Sequence, residues 1–155
     1  MTTIAGNQIC IVTDSAVTDG DQVWLAPKAE RINGDVYATA GSAADGEKFY
    51  EWARNKRKKK PKLAEAFDAL WLCKKGLFLY DHDLEAMKLA NPHAIGSGGK
   101  ACRAAMLAGA DISAAVTIVC SIDANSSLPV QVYMLDEVVD VATPISSPLK
   151  DDNDK

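Results

Sequence analysis

Residues 2–14 read Thr2-Thr3-Ile4-Ala5-Gly6-Asn7-Gln8-Ile9-Cys10-Ile11-Val12-Thr13-Asp14. Gly6-Asn7 is a turn dipeptide that divides Thr2–Ala5 from the apolar run Ile9–Val12, so the stretch predicts a β-hairpin. A run that is apolar at successive positions faces a covering layer on both sides. The first hairpin is therefore expected deep inside a layered protein, not on a half-wet sheet.

Working outward, a polar loop leads to a third strand, Val36–Ala40. A helix from Ala43 to about Arg57 follows, with Phe49, Trp52 and Ala53 on one face, and Pro61 stops what remains of it. Ala69–Cys73 and Leu77–Tyr80 flank the turn Lys74-Lys75-Gly76 as a second hairpin, with a short strand expected over Leu84–Leu89. Ala94-Ile95 enters the small-residue loop Gly96-Ser97-Gly98-Gly99. The next helix is expected over Lys100–Leu107, closing at Gly109. Ser113 is positioned to cap another helix whose core face is Ala115, Ile118, Val119 and Ile122. Val130–Leu135 reads as the last strand. Strands grouped around helices, and not alternating with them, predict a mostly antiparallel α/β layered domain. It is expected to span residues 1–140, leaving 141–155, rich in Pro, Ser and Asp, as a disordered tail.

The chain has 155 residues, 48% hydrophobic and 25% charged, which fits one globular domain. No apolar run approaches the ~20 residues of a membrane span, and the basic-then-apolar pattern of a secretory signal is missing. Four cysteines (Cys10, Cys73, Cys102, Cys120) without a CxxC pair read as reduced thiols of a cytoplasmic protein. The net charge of −4 conceals seven basic residues and no acid between Arg54 and Lys62. No aromatic residue is interleaved there to stack on bases, so a solvated helix end is expected and nucleic acid is not. Gly96–Ala101 fits GxGxxA but lacks the acid-ended strand that completes a dinucleotide unit, and it fails as a P-loop because Ala94 and Ala101 stand where Gly and Ser/Thr belong. Asp81-His82-Asp83 reads as an exposed turn, with no metal-ligand spacing around it.

Thr2 carries the chemistry. Once Met1 is removed, its hydroxyl and a free α-amine share one residue, a complete nucleophile–base unit. An α-amine titrates near ~7.7–8, already suited to general-base work. A neighbouring lysine cation would lower that value further.

Thr2-Thr3-Ile4-Ala5, Asp14-Ser15 with Thr18, Lys28, Ala40–Asp45, Ala94–Gly99 and Asp123–Ser126 occur in this order. The series resembles the proteasome β-subunit and HslV family of N-terminal nucleophile hydrolases, closest to the short proteasome-like proteins of phages and prophages. The resemblance implies a four-layer αββα sandwich with one outer helical layer reduced, because the basic segment replaces a second helix. It implies a threonine-type endopeptidase with no cofactor and no metal. Thr2 would be the nucleophile, Lys28 the cation beside the amine, and Asp14 the partner that fixes Lys28. The Gly41 N–H would bind the oxyanion, a contact typically worth ~3 kcal/mol. Ser97, Asp123 and Ser126 would form the network around the amine. Thr18 and Ala43 would line an extended substrate, and Thr39 would shape the pocket for the residue before the scissile bond.

Polypeptide substrates, a closed homo-oligomeric ring, an ATP-driven unfoldase and residence in the cytoplasm (the host's, if phage-encoded) are implied alongside. The first hairpin is about four residues shorter than in larger members, and losing two per strand keeps every side chain on its face. Ser127-Leu128 stands where a glycine pair is usual. Two rival readings are a catalytically silent structural subunit, and a phage accessory protein that binds a partner through residues 54–62.

Overall fold

The first hairpin forms as expected in the computed structural model, which describes residues 2–135. Its strands are β1 (Thr3–Gly6) and β2 (Cys10–Thr13), and every residue in both is buried. Asn7 closes the turn by accepting from the Ile9 and Cys10 amides at 2.8 Å. The alternation explains the unbroken apolar run. Ile4 and Ile11 join one core cluster, while Ala5, Cys10 and Val12 join another on the opposite face.

The supposed polar loop holds three strands that the sequence reading passed over: β3 (Ala16–Asp19), β4 (Gln22–Leu25) and β5 (Ala29–Ile32). β3 and β4 pair only with each other as a projecting ribbon, with β4 exposed throughout. A ribbon wet on both faces has no period-two pattern to read. β5 begins a five-stranded meander that continues through β6 (Asp35–Ala40), β7 (Asp68–Cys73), β8 (Gly76–Tyr80) and β9 (Ala86–Leu89). β10 (His93–Gly96) and β11 (Gln131–Met134) complete the first hairpin's sheet in the order β10-β1-β2-β11. Every strand pair is antiparallel, so the chain is a mixed α/β protein with antiparallel sheets.

Among the described residues, three helices cover the sheets. α1 (Ala43–Arg54) packs Phe49, Tyr50, Trp52 and Ala53 against Tyr37 and Tyr80 of the meander. α2 (Gly99–Leu107) and α3 (Ile112–Cys120) lie against β1, β2 and β10, with Cys102, Ala115, Val116 and Val119 in the shared core. Between the two sheets, Ile4, Ile11 and Ile95 meet Val36, Leu70, Leu72 and Leu77.

Two helix readings are corrected. α3 is capped by Asp111, whose carboxylate accepts from the Ala114 amide at 2.9 Å, and not by Ser113. Its core face is Ala115, Val116 and Val119, while Ile118 and Ile122 are exposed. α1 ends at Arg54 and not near Arg57, because Lys56 and Arg57 adopt left-handed φ of 56° and 59°. The Arg57 amide then bonds back to Trp52 O at 2.9 Å, the 6→1 bond of a Schellman-type end.

That reversal also corrects the reading of Arg57 as part of a solvated run, while Arg54 and the five lysines between residues 54 and 62 are exposed as expected. The Arg57 guanidinium lies 3.9 Å over the Trp71 ring and donates to Tyr37 Oη at 2.5 Å. Arg54 is held by Glu30 at 2.5 Å, and Lys60 pairs with Glu85. Leu63 and Phe67, both buried, plug the same cluster. A cation and two apolar side chains thus cover the part of the meander beyond α1, and no helix lies between α1 and β7. The expected tail, 141–155, and the end of the expected domain, 136–140, lie outside the described residues. Among the described residues, no helix is long and apolar enough to cross a membrane.

Candidate active site

Thr2 stands immediately before β1 and is 5% exposed. Because β1 pairs with β2, its first residues run beside the end of β2, where Asp14 follows. Thr2 Oγ1 donates to Asp14 Oδ1 at 2.7 Å. Lys28 precedes β5 and reaches both groups, with its Nζ 2.6 Å from Thr2 Oγ1 and 2.7 Å from Asp14 Oδ1. The hydroxyl of Thr2 therefore sits between an ammonium and a carboxylate, both buried.

Asp14 is wholly buried and fully satisfied. Its Oδ1 also accepts from the Thr3 amide, and its Oδ2 accepts from the Ala16 and Ser127 amides, each at 3.0 Å. Burial alone would raise this carboxyl, but the hydrogen bonds from Lys28, Thr2 and Thr3 outweigh it and hold it below its ordinary value. Burial also dominates at Lys28, lowering its ammonium against the opposing pull of Asp14. A carboxyl lowered by native contacts stabilises the fold above its unfolded pKa, and that support is lost as pH falls through the native one. The stability gap between wild type and Asp14→Asn, followed by urea melts, is expected to be constant above about pH 5 and to shrink below about pH 4. A gap independent of pH would mean that the Asp14 carboxylate is not held in this way.

On the other side of Thr2, Ser97 Oγ donates to Asp123 Oδ2 at 2.8 Å and lies 3.4 Å from the Thr2 carbonyl oxygen. Ser126 Oγ bonds the same Asp123 oxygen at 2.7 Å and shares a 2.7 Å bond with Thr3 Oγ1. Burial works to raise Asp123, and the Ser126 and Ser97 hydroxyls overcome it. The small-residue loop has a packing reason. A Cβ on Gly96 would fall 1.9 Å from Thr2 O, and one on Gly98 would fall 2.0 Å from Thr3 Oγ1. The space beside the loop's bare backbone is taken by Thr2 and Thr3.

A cavity of about 550 Å³ opens beside Thr2. Thr18 of β3, Thr39 of β6, Gly41 and Ala43 all line it, as do Lys28 and Thr2. The ten residues singled out in the sequence thus fall into a triad, a serine–aspartate network and a cavity wall, all meeting at Thr2. The sequence reading missed Thr3, whose hydroxyl joins Ser126, and the amide donors Ala16 and Ser127. It also missed Gly46, Glu47 and Tyr50, which form the α1 side of the cavity. The hydrophobic period of α1 was legible, but the face opposite its core stripe gave no signal of what it borders.

Asp81, His82 and Asp83 bring their ligand atoms within 4.8 Å of one another at the turn after β8. The Asp83 amide donates to Asp81 Oδ1 at 2.9 Å, the local bond of an Asx turn. This cluster is the group among the described residues with metal-ligand chemistry, and it is remote in sequence from the Thr2 site.

No protein-family model and no curated protein matches the chain. Solved structures do. Thiobacillus denitrificans BPH superposes with a TM-score of 0.67 at 18% identity, over 86% of this chain and 96% of that one. Its complex with Epoxomicin gives 0.65 at 19%, over the same shares. Eukaryotic HslV from Trypanosoma brucei gives 0.65 at 24%, over 85% and 98%. The mixed α/β fold is therefore that of HslV and BPH.

Proposed function

We propose that the chain is a threonine-type endopeptidase of the proteasome-like, N-terminal nucleophile kind, built as a four-layer αββα sandwich with one helical layer thinned. The carrying observation is the Thr2 hydroxyl held by Lys28 at 2.6 Å and Asp14 at 2.7 Å at the wall of an open cavity. After Met1 is removed, the Thr2 amine takes the hydroxyl proton as Oγ1 attacks the scissile carbonyl carbon. The Gly41 amide steadies the developing oxyanion. The amine then returns the proton to the departing peptide nitrogen as the C–N bond breaks, leaving an ester on Oγ1. Water hydrolyses that ester with the same amine as base. The Lys28 cation lowers the amine's pKa, and Asp14 fixes the Lys28 position. Thr18 and Ala43 hold the extended substrate, while Ser97, Asp123 and Ser126 keep the Thr2 backbone in place.

The exposed apolar side chains Val23, Trp24, Leu25, Leu107 and Ile122 support assembly into a closed homo-oligomer, the usual way identical chains cover such surfaces. An ATP-driven unfoldase, a cytoplasmic setting and kinship with the short phage-encoded members belong to the same reading and rest on the motif series.

Intact mass spectrometry tests the reading. The expected result is loss of one methionine, followed by a one-to-one covalent adduct on incubation with Epoxomicin, the compound that Thiobacillus denitrificans BPH binds. Thr2→Ala should form no adduct. Retention of Met1 would favour the silent structural subunit instead.

A further inference from the structure

Lys28 holds its ammonium between Thr2 and Asp14 at the end of a long, flexible stem, so the geometry depends on where that stem is rooted. The root lies at a boundary. The β5–β6 register ends at the Ala29–Ala38 pair, which leaves Lys28 one residue outside it. On its other side Leu25 and Pro27 are exposed and lead back to the projecting β3–β4 ribbon.

α1 supplies an anchor at that point. Tyr50 Oη donates to the Lys28 carbonyl oxygen at 3.1 Å, with Thr39 beside the same phenol. The Tyr50 ring is buried, and Phe49 meets it edge-on with centroids 6.0 Å apart. Phe49 is itself wholly buried against Tyr37, Phe67 and Tyr80. The hydroxyl therefore projects from a packed aromatic cluster, which restricts how far it can swing. Gly46, one turn before Tyr50, lets α1 approach this closely: a Cβ there would fall 2.9 Å from Thr39 Oγ1.

The charge around Lys28 comes from other groups. Asp14, Asp123 and Cys120 act on its ammonium, and Glu30 and Tyr133 act on the Tyr50 phenol. Burial holds that phenol well above its ordinary value, so it stays a neutral donor wherever an amine base can work. Tyr50 thus bears on the place of Lys28 and adds nothing to the charge balance.

We propose that Tyr50 is a positioning residue for Lys28: its hydroxyl, held by the aromatic core of α1, fixes the lysine's backbone so that the ammonium stays between Thr2 and Asp14. The effect on rate rests on the peptidase reading, while the effect on Lys28 does not.

Tyr50→Phe tests this, because it keeps the ring that fills the core and removes one oxygen and no charge. Tyr37→Phe, which removes the phenol bound to Arg57 from the same core, is the control for a general loosening. The first readout needs no catalysis. Each protein is treated with an acetyl N-hydroxysuccinimide ester, and acetylation of Lys28 is followed by peptide mass spectrometry with exposed Lys58 as reference. The Lys28 side chain is 8% exposed; with one buried hydrogen bond gone, it is expected to react about fivefold faster in Tyr50→Phe. In Tyr37→Phe it should react as in wild type. The second readout is kinetic. On a fluorogenic peptide, kcat of Tyr50→Phe should fall about tenfold with KM within about twofold. The acid limb of its kcat/KM profile should move to higher pH, because a cation held less closely lowers the Thr2 amine less. Tyr37→Phe should keep the wild-type profile.

Unchanged Lys28 acetylation in Tyr50→Phe overturns the inference, and so does an equal rise in both variants, which makes Tyr50 a packing residue. In an active enzyme, a raised KM at unchanged kcat or an unmoved pH profile overturns it as well. Faster acetylation confined to Tyr50→Phe, with no hydrolysis by wild type, upholds Tyr50 as the anchor of Lys28 and removes the peptidase reading.

Discussion

Thr2→Ala is expected to reduce turnover of short fluorogenic peptides by at least about 1,000-fold, because the substitution deletes the only atom proposed to bond the substrate. The fold should survive. The close approach of Gly96 is to the Thr2 backbone, which alanine keeps, and the Lys28–Asp14 pair does not need the hydroxyl to form. Thr2→Ser retains a hydroxyl and an amine on one residue and should keep a measurable fraction of the rate, losing the methyl group that restricts its rotamer. Steady-state kinetics on the three proteins, with circular dichroism to verify folding, checks this. Equal rates for wild type and Thr2→Ala would remove Thr2 from the chemistry altogether.

Lys28→Met should be nearly as damaging, and on two independent readouts. Losing the cation raises the amine's pKa and withdraws acid–base assistance, so kcat/KM should fall by at least about 100-fold. It also leaves Asp14, which is wholly buried, as a carboxylate without its cation. Breaking a buried pair in this way typically costs about 3 kcal/mol. Asp14 keeps its three amide donors and the Thr2 hydroxyl, so the lower end of the usual range applies and the protein should still fold. Activity normalised to the folded fraction, together with a urea melt, separates the two effects. A variant that is destabilised yet within a few-fold of wild-type kcat/KM would make Lys28 a structural residue only.

How much of this was legible in the sequence depended on burial. The first hairpin, Val36–Ala40, the start of α1 and the hairpin over Ala69–Tyr80 announced themselves because apolar side chains recur where a core must be. The β3–β4 ribbon did not, since Val23, Trp24 and Leu25 are exposed on a pair of strands that no layer covers. Ile118 and Ile122 misled for the same reason in reverse: their helical spacing is sound, but the structure leaves them in solvent. Arg57 was read as one more solvated cation because composition cannot reveal two left-handed residues folding it onto Trp71. The Thr2 site was legible at Thr2 itself from chemistry, and at Asp14 and Lys28 from the motif series. What the sequence could not provide was the far wall of the cavity, where Gly46, Glu47 and Tyr50 gain their meaning from distant strands.

The strand order also dictates when the Thr2 site can exist. The meander β5–β9 joins only neighbours in sequence, so its pairs, apart from β6–β7 with α1 between them, close over short loops and can form early. The sheet that carries Thr2 closes quite differently: Thr3 must find Gly96, and Thr13 must find Gln131. Contacts at such separations are slow, because the loop-closure entropy is spent before they return anything. A chain still emerging from the ribosome thus holds Thr2 and Asp14 long before Ser97, Asp123 and Ser127 have been synthesised. The surroundings of Thr2 are assembled last, so under the proposed function a half-made molecule has no competent site with which to attack its neighbours.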